Sequence, residues 1–222
     1  MDFDLKLPAN IIVAGASGSG KTTFIKNVLL PKIKPQYDKL IICSSTLSIN
    51  HDFDNFKEDN NKIYKVEDDI EETVMEIIDN QKYFYKLYNQ GLLKEKQIPR
   101  IVILLDDLCN SRIFSPNGFL TKWSIKTRHY KISLIITTQR IAAIGRQLRV
   151  NCAILVCFSV MAFTELERII LECVSKKYHK KMTDILLDIY SSDYNYLISN
   201  NREQNIKKRI YKNGVELIDF DK

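Results

Sequence analysis

No apolar run in the 222-residue chain reaches the length needed to cross a bilayer, which argues against membrane insertion. The opening residues Met1-Asp2-Phe3-Asp4-Leu5-Lys6 lack the basic and apolar regions of a secretory signal. The five cysteines, at positions 43, 109, 152, 157 and 173, form an odd set without a C-x-x-C pair, which disfavours a disulfide framework or a structural zinc site. Cys43, Cys152 and Cys157 fall within apolar, strand-like runs, so the cysteines read as reduced core residues in a cytosolic type of compartment. There is no internal repeat and no low-complexity segment.

What remains is the composition of a globular protein. The hydrophobic fraction is 45% and the charged fraction 27%, in a chain long enough for one well-buried domain. A net charge of +6 permits a nucleic-acid partner without requiring one. The basic residues concentrate late, in Lys176, Lys177, Lys180 and Lys181 and again in Lys207-Lys208-Arg209.

The run Gly15-Ala16-Ser17-Gly18-Ser19-Gly20-Lys21-Thr22 fits the phosphate-binding pattern G-x-x-x-x-G-K-[ST] at every fixed position. Ile11-Ile12-Val13-Ala14 reads as a buried strand entering it, and residues 22–29 as a helix leaving it and stopping at Pro31. Glycines at 15, 18 and 20 allow backbone conformations closed to other residues, so that successive N–H groups, Thr23 included, converge on phosphate at a helix N-terminus. Lys21 supplies positive charge to the β- and γ-phosphates, and Thr22 a hydroxyl to Mg²⁺.

Ile101-Val102-Ile103-Leu104-Leu105 has no polar residue in five, as expected for the centre of a parallel sheet, and it ends in Asp106-Asp107. An apolar strand ending in two carboxylates downstream of a phosphate loop is the Walker B signature. Asp106 would hold the Mg²⁺ shell and Asp107 would orient or deprotonate the attacking water. Ile135-Ile136-Thr137-Thr138-Gln139 ends another apolar strand, from which the Gln139 amide can touch the γ-phosphate or the water. Arg128, Arg140, Arg146 and Arg149 cluster around that strand as candidates for neutralising γ-phosphate charge.

The rest of the chain alternates. Strands are expected at 40–43, 133–137 and 153–158, a loop at 50–61, and helices at 119–127, 164–174 and 183–191. A further helix would open at the capping-box pattern Asp69-x-x-Glu72 and end near Gly91, and Thr164-x-x-Glu167 carries the same start signal. Short strands at 194–198 and 206–211 precede a hairpin at Asn213-Gly214. Strands alternating with helices indicate an α/β fold with a mainly parallel central sheet flanked by helices, a phosphate-loop core over 1–192 and a small C-terminal β-hairpin extension over 193–222 of the same domain.

In order and spacing, Gly15 to Thr22, Leu104-Leu105-Asp106-Asp107, residues 128–133, Ile136-Thr137-Thr138-Gln139 and Arg149-Val150-Asn151 resemble the poxvirus-type DNA-packaging ATPases of the FtsK/HerA superfamily, carried by large double-stranded DNA viruses and virophages. The resemblance covers residues 8–160 and hardly touches the tail. It implies a P-loop NTPase of the additional-strand, RecA/FtsK-like class that uses ATP and Mg²⁺. It also implies a ring-shaped homo-oligomer, pentamer or hexamer, that drives double-stranded DNA into a preformed capsid through capsid or portal-like vertex proteins, in the virion or a viral factory of the host cytoplasm. By position, Lys21 and Thr22 bind phosphate and Mg²⁺, Asp106 is the metal acid, Asp107 the catalytic acid where many superfamily members have glutamate, and Gln139 the sensor.

Other readings stay open. A GTPase would show N-K-x-D, and the nearest approach, Asn61-Lys62-Ile63-Tyr64, lacks the aspartate; an L-S-G-G-Q-like signature is absent too. A helicase or helicase loader would share the loop, the acids and the basic stretches. A non-catalytic nucleotide-binding assembly protein would bind without turnover.

Overall fold

A computed structural model describes residues 5–56, 63–108, 112–115, 117–160, 162–174 and 176–220. Cys109 and the end of the polar stretch expected to be a loop lie outside them. Among the described residues, nine strands form one sheet in the order β3-β2-β4-β5-β1-β6-β7-β8-β9. Six are parallel: β1 (Asn10–Ala14), β2 (Lys39–Ser44), β3 (Ile63–Val66), β4 (Ile101–Asp106), β5 (Ile132–Thr138) and β6 (Ile154–Phe158). The last three, β7 (Tyr196–Asn200), β8 (Ile210–Lys212) and β9 (Glu216–Leu217), continue the same sheet in antiparallel fashion.

The side-chain period of two sorts the core into layers. On β1, Ile12 and Ala14 face one layer while Ile11 and Val13 face the other; on β4, Ile101, Ile103 and Leu105 oppose Val102 and Leu104. The first layer is completed by α4 (Ile70–Asn89), α5 (Phe119–Trp123), α6 (Arg146–Val150), α7 (Phe163–Cys173) and α8 (His179–Tyr190). The second is covered by α1 (Lys21–Phe24) and α2 (Leu30–Ile33), with Phe53 beyond the short α3 (Leu47–Asn50). Fully burying one such aliphatic side chain contributes roughly 1.5–3 kcal/mol, so β1 and β4, apolar on both faces, anchor the fold.

Several local expectations give way to packing. The first helical run does not stop at Pro31 but reaches Ile33, with a π turn over Ile25–Leu29. Pro31 follows directly on the π turn without ending the run, and Leu29, Leu30 and Ile33 extend the buried face. Asp69 makes no side-chain cap: its φ is 49°, and its carbonyl accepts the Thr73 N–H instead. Thr164 is no cap either, since α7 starts one residue before it, after Ala162. The helix expected to 127 ends at Trp123, and beyond it the Ser124 and Thr127 hydroxyls donate to the carbonyls of Thr121 and Ser124.

Toward the C-terminus, α8 begins one turn before residue 183. The strand expected at 206–211 is a 3₁₀ turn, Ile206–Lys208, followed by β8. Strand β3 is an element that the sequence reading does not anticipate; its half-buried residues lie at the sheet edge beside a polar stretch. The Asn213-Gly214 turn forms as expected, with φ of 50° and 71° and the Val215 N–H donating to Lys212 O. Cys43, Cys152, Cys157 and Cys173 are buried and unbridged, and burial pushes the Cys43 and Cys152 thiols up to about 12.

Candidate functional site

Parallel strands end together, so loops that are far apart in sequence meet at the sheet's C-terminal edge. Strand β5 lies between β1 and β4, the additional-strand order, which sets the Asp106-Asp107 tip and the Gln139 tip beside the loop leaving β1. A cleft of about 410 Å³ opens there. Its floor is the loop and helix start, from Ser17, Gly18 and Gly20 to Lys21, Thr22 and Thr23. One wall carries Asp106, Asp107, Thr137 and Gln139, and Asp52 and Tyr194 complete the rim.

The glycines act for two different reasons. Gly18 and Gly20 have φ of 72° and 99°, conformations that favour glycine. Gly15 does not; it is required by a close approach, since a Cβ there would lie 2.6 Å from Phe158 Cβ and 2.7 Å from Ser19 Oγ. The loop is fastened to its neighbours by Gly15 N–H to Thr138 O (3.1 Å) and Ala16 N–H to Ser159 O (2.8 Å). Lys21 Nζ folds back over it, donating to Gly15 O at 2.9 Å and Ala16 O at 2.7 Å. Ser19 Oγ is buried without a hydrogen-bond partner among the described residues.

On the acidic wall, Asp106 is 7% exposed. Burial pushes its carboxyl above the usual carboxylate range, reinforced by Asp107 and Asp52 and opposed by the Thr137 hydroxyl and the Lys21 ammonium. Thr137 Oγ1 donates to Asp106 Oδ1 at 2.9 Å and accepts the Asp107 N–H at 2.8 Å. Asp107, held at φ 51°, receives a 3.2 Å hydrogen bond from Gln139 Nε2. No cluster of three or more His, Cys, Asp or Glu placed to hold a metal occurs among the described residues. The donor set, one buried carboxylate beside a threonine hydroxyl and a phosphate-type loop, suits a Mg²⁺ that takes most of its ligands from phosphates and water.

The arginines separate. Arg149 is bound within its own chain: its guanidinium donates to Ile144 O and, at 2.8 Å, to Glu172, leaving the side chain 10% exposed. Arg140 lies 3.6 Å from Glu165. Arg128 stands just before β5, at the opposite end of the sheet from the cleft. Arg146, at the start of α6, is exposed and has no polar partner among the described residues.

Both late basic stretches also lie toward the end opposite the cleft. Tyr190, at the end of α8, reaches Cys157 O near the top of β6, whereas Lys181, at its start, donates to Phe220 O at 2.7 Å. Arg209 O accepts the N–H of Asn200, the bottom residue of β7. Arg209 itself is tied to Asn201 and Ser199. Lys176, Lys177, Lys180, Lys207 and Lys208 are exposed.

Sequence reasoning misses three residues of the cleft. Asp52 comes from a polar stretch with no motif, and Tyr194 from a turn read as strand. Thr137 was visible only as part of the sensor strand.

Residues 3–212 match a family described as Poxvirus A32 protein. The fold is similar to the genome-packaging NTPase B204 from Sulfolobus turreted icosahedral virus 2 in complex with AMPPCP (TM-score 0.61, 19% identity, 92% of this chain and 96% of that one). It is similar to B204, the DNA-packaging ATPase from Sulfolobus turreted icosahedral virus (TM-score 0.63, 19% identity, 92% and 96%). The pCW3 conjugation coupling protein TcpA also shares it (TM-score 0.61, 16% identity), with 86% of this chain covering 56% of that one. Comparison with curated protein sequences returns no match.

Proposed function

As a chain that belongs to the poxvirus A32 protein family, this protein is, we propose, an ATP-hydrolysing motor that moves double-stranded DNA into a preformed capsid. The observation that supports it most is the single hydrogen-bonded line on the acidic wall, Gln139 to Asp107 and Asp107 through Thr137 to Asp106, facing a complete phosphate loop across one cleft. A protein that only bound nucleotide would use the loop and a metal acid but not the hydrogen-bonded pair Asp107–Gln139.

In this reading the N–H groups of residues 18–23 and the start of α1 hold the phosphates, and Lys21 turns from its own carbonyls toward them. Thr22 and Asp106 would hold a Mg²⁺, which would supply charge neutralisation to the phosphates when bound. Asp107 orients or takes a proton from the attacking water. Gln139, hydrogen-bonded to Asp107, couples that carboxylate to the γ-phosphate position. Arg146 is the guanidinium free to reach a neighbouring subunit of a ring. The genome-packaging role of B204 named among the similar structures supports this substrate class.

The exposed lysines at the far end of the sheet would face phosphate backbone, reading charge rather than bases. The test is ATP hydrolysis by the purified protein with and without duplex DNA, alongside its mass in solution. Stimulation by duplex without strand separation, in a ring-sized particle, supports packaging; unwinding of a forked duplex would make it a helicase, and binding without turnover a non-catalytic assembly protein.

A further inference from the structure

The order of strands gives the cleft a direction. The acids sit at the tip of β4 and Gln139 at the tip of β5, the phosphate loop follows β1 in the middle, and Tyr194 precedes β7, two strands to the other side of β1. With neighbouring strands about 4.8 Å apart, the tips of β4 and β7 lie roughly 19 Å apart with the loop between them. If hydrolysis takes place at the acids, the γ-phosphate lies on their side, and the nucleoside must leave the loop on the side of Tyr194.

Tyr194 has three properties that a turn residue does not need. Its φ is 61°, an outlier for a bulky side chain. The residue is 72% exposed although it belongs to a chain segment between a buried helix face and a buried strand. It also lies over the phosphate loop, close enough that a methyl on Gly20 would come within 3.3 Å of Tyr194 Cδ1.

The backbone that follows is clamped. Asn213 of the β8–β9 turn donates to Asn195 Oδ1 at 2.8 Å, accepts the Tyr196 N–H at 3.0 Å, and donates its own N–H to Tyr196 O at 2.8 Å. Beneath, Tyr196 packs on Phe24 and Phe158, with ring centroids 4.9 and 5.0 Å away. An exposed aromatic residue thus stands at the nucleoside end of the cleft, and the C-terminal hairpin anchors the backbone that follows it.

We propose that Tyr194 is the stacking platform for the nucleobase of the bound nucleotide. The inference rests on the nucleotide-hydrolysing reading above. The experiment measures binding of Mg·ATP and of Mg·tripolyphosphate, which has no base, to the wild type, Tyr194→Ala and Tyr194→Phe. Stacking predicts that Tyr194→Ala loses about ten-fold in ATP affinity, that tripolyphosphate binding is unchanged, and that Tyr194→Phe binds ATP like the wild type. Equal losses for both probes would assign Tyr194 to loop shape and overturn the proposal, as would an unchanged ATP affinity in Tyr194→Ala. A wild type that binds neither probe would remove the nucleotide reading and this inference with it.

Discussion

The Thr137 hydroxyl donates to Asp106 Oδ1 at 2.9 Å while it accepts the Asp107 N–H at 2.8 Å, so one side chain of β5 sets the orientation of both acids at the tip of β4. Thr137→Val should leave the Asp107 N–H and the Asp106 oxygen without that partner. We expect a stability loss of about 1–3 kcal/mol and a drop in turnover greater than the drop in nucleotide affinity. Thr137→Ser should restore both. Chemical denaturation and steady-state ATPase assays check it, and a Val variant with full turnover would contradict the bridging role.

The raised titration of Asp106 has a sign that can be measured. Because burial disfavours the ionised form, the folded protein holds this proton more tightly than the unfolded chain does. The Asp106 contribution to stability therefore falls as pH rises from its ordinary value of 3.8 through the raised folded value. Asp106→Asn should abolish that fall and melt at or above the wild type at neutral pH, while losing the stabilisation that Mg·ATP adds to the wild type. Thermal melts across pH, with and without Mg·ATP, decide it; a variant still protected by Mg·ATP as strongly as the wild type would remove Asp106 from the metal site.

Gly15 and Gly18 should respond differently to an added side chain. Gly15→Ala drives a Cβ into Phe158 and Ser19, and overpacking of this kind costs roughly 1–3 kcal/mol. Gly18 has nothing within 4 Å of its Cβ position but a φ of 72°, so Gly18→Asn should be tolerated, because asparagine adopts that conformation readily. Urea unfolding of both variants distinguishes the close approach from the backbone requirement.

Arg149 and Arg146 should separate stability from turnover. Arg149→Ala leaves Glu172 and Ile144 O without their donor and should cost about 1.5–3 kcal/mol in unfolding free energy. Arg146→Ala should leave stability and nucleotide binding unchanged and reduce turnover of the assembled protein by about 10³-fold. A loss of ATP affinity in monomeric Arg146→Ala protein would count against action between subunits.

The motifs were legible because each is contiguous. Eight consecutive residues specify the phosphate loop, and five apolar residues before Asp106-Asp107 specify a buried strand with its acids. Where an element's limits depend on what packs against it, the reading failed. Pro31 carries a strong local stop signal, yet the buried Leu29, Leu30 and Ile33 carried the first helix past it. The helix from Asp69 to near Gly91 forms where expected, but the left-handed backbone of Asp69 keeps its side chain out of the cap.

By itself the sequence determined that this chain has a phosphate loop, an acid pair and an α/β pattern, because those features follow from side-chain type and short-range periodicity. Only the tertiary structure decided that β5 stands between β1 and β4, that Thr137 joins two acids about thirty positions away, and that Arg149 is spent on Glu172 while Arg146 is free. It also brought Asp52 and Tyr194 to the same cleft. These are relations between segments far apart in the chain, fixed by which strands pair and which faces are buried, and no local pattern encodes them.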